Sequence, residues 1–300
     1  MISVVVCSID PVLSANLEAN IANTIGVPYE TIVIDNRTAK KCIGAVYNQG
    51  ARSAQFPVIC FLHEDVVFST PNWGQKILQY FEANPLLGLI GLAGSKYKSR
   101  THSGWYTGIP ALDCANILHI NRKGQEYRIV AQPTSGKTFE RVVCIDGVFM
   151  CCRQEAWEQV LFNESPLDGF HLYDIDFSTR MSRTYETIVS FEIDVVHLTE
   201  GGSFDNHWLK YTFLWHRMQR QLNQLPLTLE GSNSPNRIYE RKIAKTWLSV
   251  LMKSKVTMPY RIQWILKLHL IHLLSLLPDI AALLLYPFLK PLLNRVKKKP

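Results

Sequence analysis

Residues 59–68 read ICFLHEDVVF, and this stretch decides how the first half of the chain is interpreted. An apolar run typical of a buried strand leads directly into His63, Glu64 and Asp65 and then resumes. A carboxylate buried without a partner is strongly destabilising, so such groups are normally paired or bound to a metal. The alternative is a strand end that reaches solvent, where the acids are hydrated. For one acidic triplet alone that alternative is the better one, so the rest of the chain must decide.

The sequence around this stretch alternates between strand and helix patterns. β-Branched or continuous apolar runs predict strands at residues 2–7, 30–34, 58–68 and 87–92, and helical spacing predicts helices at 11–24, 45–54 and 73–83. Such alternation predicts an α/β fold whose mostly parallel sheet is flanked by helices. Ligands of these sheets bind at the carboxyl ends of the strands. Asp35 and the His63–Asp65 group fall at or near such ends.

Composition and charge narrow the class of protein. The 300 residues are 47% hydrophobic and 19% charged, which allows a large folded core. Residues 230–300 contain thirteen Lys or Arg and three acids, a net charge of +10, which leaves −3 for residues 1–229. A nucleic-acid-binding face on the main body is therefore not expected. Seven cysteines without a C-x-x-C spacing, and a first segment unlike a signal peptide, favour reduced thiols and a cytoplasmic location.

The second half of the chain is less periodic. Residues 95–140 are predicted to be a long irregular excursion, followed by strands at 141–151 and 189–197 and by helices from about residue 206. The Ser-, Asn- and Pro-rich link GSNSPNR (231–237) predicts a division into a domain at 1–229 and a basic helical region at 230–300.

The segment LHLIHLLSLLPDIAALLLYPFLKPLL (268–293) is apolar, but Pro278 and Asp279 split it into halves too short to span a bilayer. Basic residues flank both halves, which favours interfacial helices on an anionic membrane leaflet. The prediction is a peripheral protein on the cytoplasmic, inner face of the membrane. The alternative is a soluble helical hairpin that packs on the main domain or on another subunit of an oligomer.

A second acidic cluster lies in GFHLYDIDFSTR (169–180). Asp174 and Asp176 would share one face of a strand, whereas at a helix start they would diverge and favour the N-terminal dipole. One of the two is a candidate general base, which requires a carboxylate in a partly dry cleft. Helix capping is the alternative explanation for either residue.

Weaker signals come from four other places. His197 ends an apolar strand and is a candidate metal ligand, and the following Gly201 and Gly202 could bring backbone N–H groups to phosphates. Asp35 could accept hydrogen bonds from a ribose or base, and Asn48 could line the same nucleotide pocket. Each of these residues has an ordinary structural explanation when taken alone.

The order of these features resembles that of the family 2 glycosyltransferases, which have the GT-A fold. The likeness is closest to bacterial members with a His-Glu-Asp variant of the usual Asp-x-Asp. The matching stretches lie between residues 1 and 203 and are MISVVVCS, ETIVIDN, YNQGA, ICFLHEDVVF, GLIGLAGS, CIDGVFMCCRQEAW, LYDIDFSTR and VVHLTEGGS.

The resemblance implies a role for each matched position. Asp35 and Asn48 would contact the nucleotide, and Asp65 and His197 would bind the divalent metal, Mn²⁺ or Mg²⁺, on the diphosphate. Asp174 matches the catalytic base, with Asp176 as the second candidate. The chain departs from the family pattern at two positions. His63 replaces the first acid of Asp-x-Asp, where it would touch the sugar or ribose or shape the site, and Tyr173 replaces the usual Glu.

The expected function is a metal-dependent inverting glycosyltransferase. Its donor would be a nucleotide-diphosphate sugar, and its acceptor a hydroxyl of a lipid-linked saccharide or a growing cell-surface glycan. Trp105 and Tyr106 are candidates for stacking on acceptor sugars, or ordinary loop anchors. Two alternatives are a sugar-phosphate nucleotidyltransferase and a membrane-docked scaffold that keeps the fold without catalysis. The first lacks its Gly-rich loop here, since CSIDPVLSAN follows the first strand.

Overall fold

The computed structural model describes residues 1–121, 124–132, 134–199, 204–231, 234–268, 276–281 and 285. Its strands are β1 (Ile2–Ser8), β2 (Tyr29–Asp35), β3 (Val58–His63), β4 (Val66–Phe68), β5 (Leu87–Gly91), β6 (Ala93–Ser95), β7 (Tyr97–Lys98), β8 (Asp113–Ile120), β9 (Glu126–Ala131), β10 (Phe139–Arg141), β11 (Cys144–Ile145), β12 (Phe149–Arg153), β13 (Glu186–Ser190), β14 (Val195–His197) and β15 (Leu227–Thr228). Its helices are α1 (Pro11–Thr24), α2 (Ile43–Ser53), α3 (Trp73–Ala83), α4 (Gln154–Val160), α5 (Tyr173–Met181), α6 (Asn206–Gln221), α7 (Arg237–Lys253) and α8 (Met258–Leu266).

A seven-stranded sheet with the order β10-β13-β5-β12-β3-β1-β2 forms the centre of the fold. Five strands run in one direction, and β12 and β10 run against them. Along β1 the buried valines alternate between faces, so that Val4 and Val6 join the apolar cluster of α1 and α3 while Val5 joins that of α2 and α5. The predicted mixed α/β fold is confirmed, with helices on both faces of a mostly parallel sheet.

Two predicted strands are each broken into two. The run 58–68 forms β3 and β4, which are separated by a turn at Glu64 and Asp65. The run 189–197 lies partly in β13 and partly in β14, and these strands belong to different sheets. Apolar sequence resumes after the acids at both breaks, Glu64 and Asp65 in the first and Glu192 and Asp194 in the second, so each run was interpreted as one strand. The consequence is that β4 and β14 lie next to each other, antiparallel, with His197 opposite Val66.

The predicted irregular excursion at residues 95–140 instead contains strands. A second sheet runs β11-β6-β8-β14-β4, with β9 paired to the outer part of β8. Gly-, Ser- and Lys-rich sequence hid this sheet, because strand preference depends on packing partners more than on local composition. The second sheet matters for the site, since β14 and β4 deliver two of its residues.

Helices α6, α7 and α8 form a third apolar cluster with parts of the preceding chain. Trp208 of α6 stacks on Trp247 of α7 with ring centroids 5.1 Å apart, and Trp247 Nε1 donates to the Tyr106 carbonyl oxygen. Trp264 of α8 is fully buried and donates to the His102 carbonyl oxygen at 2.7 Å. The first part of the basic region therefore packs against the preceding 229 residues.

No helix in the described ranges combines the length and apolar character needed to cross a bilayer. Most of the apolar tail, at 269–275, 282–284 and 286–300, lies outside the described residues. Its predicted interfacial helices stay a prediction.

The cysteines differ from the expectation of reduced thiols. Cys60 of β3 and Cys151 of β12 are directly opposite in the antiparallel register and form a disulfide, while five other cysteines are free. Such a cross-strand pairing joins residues 91 positions apart. It depends on strand register, which cysteine spacing does not reveal.

Candidate functional site

The two acids of the turn between β3 and β4, Glu64 and Asp65, point to different parts of the molecule. The Glu64 carboxylate accepts hydrogen bonds from Ser8 Oγ at 2.7 Å and from the N–H groups of Ile9 and Asp10 at 3.1 Å. Glu64 therefore fastens the turn to the loop after β1. Asp65 lines a pocket on the other side of the turn.

His63, Asp65 and His197 form a compact cluster, in which one potential ligand atom of each lies within 4.8 Å of the others. Asp65 Oδ1 is 3.2 Å from His197 Nε2. The pairing of β14 with β4 creates this contact, and a hydrogen bond of 2.8 Å from the Leu198 N–H to the Asp65 carbonyl oxygen secures it. Two segments that are far apart in sequence, the turn after β3 and the end of β14, thus meet at one point.

The electrostatics of the cluster suit a cation. Burial works to raise the pKa of Asp65, but the hydrogen bond and charge of His197 outweigh it and hold that pKa below its usual value. Burial and the charge of His197 lower the pKa of His63. At neutral pH these groups are therefore an ionised carboxylate and a neutral imidazole, the forms that ligate metals.

One polar atom of the cluster is unsatisfied. Nδ1 of His197 is buried and has no hydrogen-bond partner within the described parts of the chain. Buried polar atoms are rarely left in this state without a functional reason. Together with the mixed nitrogen and oxygen donors, which Mn²⁺ accepts, this indicates that the residues present fit a divalent cation.

The two positions that depart from the family pattern are in direct contact. Nε2 of His63 and Oη of Tyr173 are 2.7 Å apart and share a hydrogen bond. Burial raises the pKa of Tyr173 well above its usual value, so its hydroxyl stays protonated. Where the family has two acids, this chain has a neutral hydrogen-bonded pair. This pair joins the β3–β4 turn to α5.

The start of α5 positions Asp174 in the same pocket. The preceding Leu172 is left-handed (φ 62°), a conformation that costs a leucine about 1–2 kcal/mol. The Gly147 N–H donates to Asp174 Oδ2 at 3.0 Å. A Cβ at Gly147 would come within 2.1 Å of Tyr173 Oη, so only glycine allows this close approach. Burial, reinforced by the charge of Asp146, raises the pKa of Asp174 to about 7.

Asp146 is a pocket residue that the sequence interpretation missed. Its Oδ2 accepts a hydrogen bond of 2.7 Å from Trp105 Nε1, and its Oδ1 accepts one of 3.1 Å from the Val148 N–H. The signal was present, since Asp146 stands in the quoted stretch CIDGVFMCCRQEAW, but no spacing distinguished it from a turn residue.

Asp176 lies away from the pocket and is almost fully buried, with 1% of its surface exposed. Its carboxylate pairs with Arg180 at 2.8 Å and accepts hydrogen bonds from Asn163 Nδ2 at 2.7 Å and Trp215 Nε1 at 3.1 Å. The helix therefore separates the two candidate bases. Asp174 faces the pocket, while Asp176 ties α5 to α6 and to the loop after α4.

The predicted nucleotide residues are not brought together with the metal cluster. Asp35 ends β2 at the carboxyl edge of the sheet, is exposed, and pairs with Arg37, whose hydrogen bonds lower the pKa of Asp35 to about 2. Asn48 is buried and uses both ends of its amide on protein partners, the Trp157 indole, both backbone groups of Phe162 and the Glu164 carboxylate. These bonds leave Asn48 no capacity for a nucleotide. Gly201 and Gly202 lie outside the described residues.

The pocket itself has a volume of about 420 Å³. Besides the acids and histidines, its wall is aromatic and contains Trp105, Tyr106, Phe170, Phe204, Trp208 and Trp247. Flat aromatic faces of this kind stack on the apolar faces of sugars. The structure thus brings both predicted aromatic residues, Trp105 and Tyr106, to the pocket that holds Asp65 and Asp174.

A third histidine, His119, also lines the pocket. It lies opposite His197 in the parallel pair β8–β14, with ring centroids 5.3 Å apart, and it stacks on Tyr127. Burial, and then the charge of His197, lower the pKa of His119 to about 4. Sequence reasoning missed His119 because it belongs to the second sheet, which composition hid.

Two solved structures match the chain, each with a TM-score below 0.5. GalNAc-T7, solved with UDP, GalNAc and Mn²⁺, matches with a TM-score of 0.48 and 11% identity over 67% of this chain, which spans only 44% of that protein. The mannosyltransferase PcManGT from Pyrobaculum calidifontis, solved with GDP-Man and Mn²⁺, matches with a TM-score of 0.48 and 12% identity over 99% of this chain and 88% of the other. At these values the likeness carries no function to this chain.

No curated protein matches the chain significantly. A family model does match it, over residues 3–219, and its description is "Glycosyltransferase like family". The match spans β1 to α6 and therefore includes every residue of the metal cluster and Asp174. The chain belongs to this glycosyltransferase-like family.

Proposed function

We propose that the protein is a metal-dependent inverting glycosyltransferase of the GT-A type, from the bacterial subgroup with a His-Glu-Asp motif. It moves a sugar from a nucleotide-diphosphate sugar to an acceptor hydroxyl. The observation that carries this proposal is one pocket with two separate acidic centres, a cation cluster at Asp65 and a carboxyl at Asp174 whose pKa is raised to about 7.

The cluster of His63, Asp65 and His197 would act on the sugar donor. Asp65 and His197 would hold a divalent cation, with His63 beside them. Such a cation, when bound, neutralises negative charge that develops on the departing diphosphate. Nε2 of His63 is already bonded to Tyr173, so only Nδ1 of that ring remains for a ligand. Exposed Asp35 is the candidate contact for the nucleotide, and the glycines at 201 and 202 are candidates for the phosphates.

The acceptor side belongs to Asp174. As the acceptor hydroxyl oxygen forms its bond to the anomeric carbon, the bond from that carbon to the diphosphate oxygen breaks, and the hydroxyl proton passes to the Asp174 carboxylate. A single displacement of this kind inverts the anomeric configuration. A base with a pKa near 7 is well matched to the task at neutral pH, whereas an exposed aspartate is a weaker base.

The His63–Tyr173 hydrogen bond would align these two centres. It joins the turn that carries Asp65 to the first turn of the helix that carries Asp174. Both partners are neutral, so the pair does not add negative charge beside Asp174 and Asp146. On this view the departures from the family pattern preserve the geometry of the site and do not indicate lost catalysis.

The proposed acceptor is a lipid-linked or cell-surface saccharide, and the proposed location is the cytoplasmic face of the membrane. The aromatic wall suits sugar rings, and the basic apolar tail suits an anionic leaflet. Because Trp264, Leu276 and Ile280 are part of the core, a truncation that tests the tail should remove only residues 282–300. We expect the truncated chain to stop sedimenting with anionic vesicles; unchanged sedimentation would contradict the tail assignment.

The deciding experiment for activity incubates the full chain with a panel of nucleotide-diphosphate sugars, Mn²⁺ or Mg²⁺, and saccharide acceptors. We expect metal-dependent release of nucleoside diphosphate that EDTA abolishes and that Asp174→Asn suppresses. Asp168→Asn is the matched control, since Asp168 is an exposed acid that bonds Tyr211 outside the pocket lining.

Metal-dependent turnover that is equal in Asp174→Asn and wild type would contradict the base assignment. No turnover with any donor, despite metal binding, would favour the scaffold alternative, and formation of a nucleotide sugar from a sugar phosphate would favour the nucleotidyltransferase.

A further inference from the structure

A second cavity, larger than the aromatic pocket that holds Asp65 and Asp174, lies elsewhere in the molecule. Its volume is about 950 Å³, and it is enclosed by the loop after β7, the carboxyl end of α6, the first turns of α7 and the end of α8. It shares no lining residue with the aromatic pocket. Arg220 and Trp208, which line the two cavities from the same helix, are twelve residues apart, or about 18 Å along α6.

The charge of this cavity is strongly unbalanced. Among the residues that the structure describes, four basic side chains line it, Arg100, Arg220, Arg237 and Lys267, against the single acid Glu240. Concave surfaces with charges of one sign concentrate the electrostatic potential and attract counter-ions. Glu240 offsets one of these four charges and leaves the described lining with a net charge of +3; its buried carboxylate already accepts hydrogen bonds from Tyr97 Oη at 2.8 Å and from Ser99 Oγ at 2.7 Å.

Two of the basic groups are held in place at the cavity wall. Arg100 Nε donates to the Leu225 carbonyl oxygen at 3.0 Å, and Lys267 Nζ lies 5.1 Å from the centroid of the Phe213 ring. A guanidinium group fixed as that of Arg100 is binds phosphate oxygens with charge-assisted hydrogen bonds at a smaller entropy cost than a mobile side chain, and the ammonium group of Lys267 adds a point charge. The arrangement is therefore better suited to a phosphoryl group than to a monovalent carboxylate.

The same cavity also has apolar lining residues. Leu225, Leu266 and Leu268 line it, and Leu266 is 74% exposed whereas the other two are 7% exposed. An anion that carries hydrocarbon would cover the exposed leucine, and a free anion would not. Basic side chains beside an exposed leucine match an amphiphile with a phosphorylated head.

We propose that this cavity binds a phosphoryl group, carried by a lipid head or free in solution, through Arg100, Arg220, Arg237 and Lys267. The site is distinct from the aromatic pocket, and the proposal does not depend on the catalytic assignment. The exposed Leu266 beside the basic side chains favours the lipid as the source.

Two soluble probes separate the sources, inorganic phosphate and dihexanoyl phosphatidic acid below its micelle concentration. Titration calorimetry on the full chain should detect binding, and the double variant Arg220→Gln, Arg237→Gln should weaken it at least about tenfold, a loss of about 1.4 kcal/mol. Arg217→Gln, Arg241→Gln is the matched control, because it removes two exposed charges from the same helices without touching the cavity lining. All four substitutions are at exposed positions, and thermal unfolding verifies that both variants fold.

Each outcome is decisive. Phosphatidic acid that binds at least about tenfold more tightly than phosphate supports the lipid source, and equal binding of the two probes supports free phosphate. Loss of binding in the cavity variant alone is required in both cases. Absence of binding to wild type, or an equal loss in the control variant, overturns the proposal.

Discussion

The turn between β3 and β4 and the first turn of α5 each carry two acids. In both segments one acid lines the pocket and the other bonds to the surrounding protein. In the turn, Asp65 faces the pocket while Glu64 bonds the loop after β1. In the helix, Asp174 faces the pocket while Asp176 is buried against Arg180. One acid of each segment is available for chemistry, and its neighbour fixes the segment that presents it.

The difference between the two structural acids lies in their surroundings. Asp176 is 1% exposed and closes a network with a cation and two side-chain donors, whereas Glu64 is partly exposed and receives one hydroxyl and two backbone donors. Removing a partner from a buried charge network is strongly destabilising, and removing hydrogen bonds near the surface is less so. The comparison therefore predicts a different effect on turnover, stability or metal affinity for the substitution of each of the four acids.

The largest effect is expected from Asp174→Asn. Loss of a general base typically lowers kcat about 10²–10⁴-fold, because the acceptor hydroxyl then loses its proton without assistance. The measurement is turnover with the donor found in the nucleotide-sugar panel, at saturating acceptor.

The pH dependence of stability tests whether the lower kcat of Asp174→Asn reflects the loss of a base and not damage to the fold. Folding raises the pKa of Asp174 from 3.8 to about 7, so ionisation costs the folded state stability. The penalty is absent below about pH 4, where the carboxyl is protonated in both states, and it is complete above about pH 7. In metal-free protein, Asp174→Asn should therefore raise the Tm relative to wild type at about pH 8 and leave it unchanged at about pH 4. A lowered Tm at both values would make Asp174 structural.

Asp176→Ala should instead unfold the protein more easily. Leaving Arg180 and the Trp215 indole without their partner is expected to lower the free energy of unfolding by about 3–5 kcal/mol. Urea denaturation measures this change. If the variant is as stable as wild type but inactive, the assignments of the two aspartates must be exchanged.

Much of the fold, and part of the candidate site, could be predicted from the sequence. The features that could not be predicted have physical reasons. The α/β alternation and the parallel strands follow from apolar periodicity, whereas the candidate roles of Asp65, His197 and Asp174 come from the resemblance to a known family. Asp146 and His119 were missed because their role depends on a second sheet whose strands have no periodic signal of their own. Asn48 was predicted to line the nucleotide pocket, and the sequence does not show the four hydrogen-bonding groups that surround its amide.

Asp65→Ala should remove metal binding with little change in folding. Outer-shell partners of metal sites typically contribute about 10–100-fold to affinity, so loss of a ligand should weaken Mn²⁺ binding by at least about 100-fold. Asp65 lines the pocket and its side chain is 23% exposed, so its removal is expected to change the Tm only slightly. Mn²⁺ affinity by electron paramagnetic resonance and Tm in EDTA give the two quantities. Normal affinity with a lowered Tm would mean that Asp65 only supports the turn.

The smallest effect is expected from Glu64→Gln. The side chain keeps its shape and one acceptor oxygen, but its hydrogen bonds to Ser8 and to the backbone of Ile9 and Asp10 lose their charge assistance. A decrease of about 1–2 kcal/mol in the free energy of unfolding is expected, with Mn²⁺ affinity close to that of wild type. Because Asp65→Ala should produce the opposite pattern, the two variants together show whether neighbouring acids in one turn are independent. A large loss of metal affinity in Glu64→Gln would mean that the turn moves when its anchor weakens, so that Glu64 positions Asp65 for the cation.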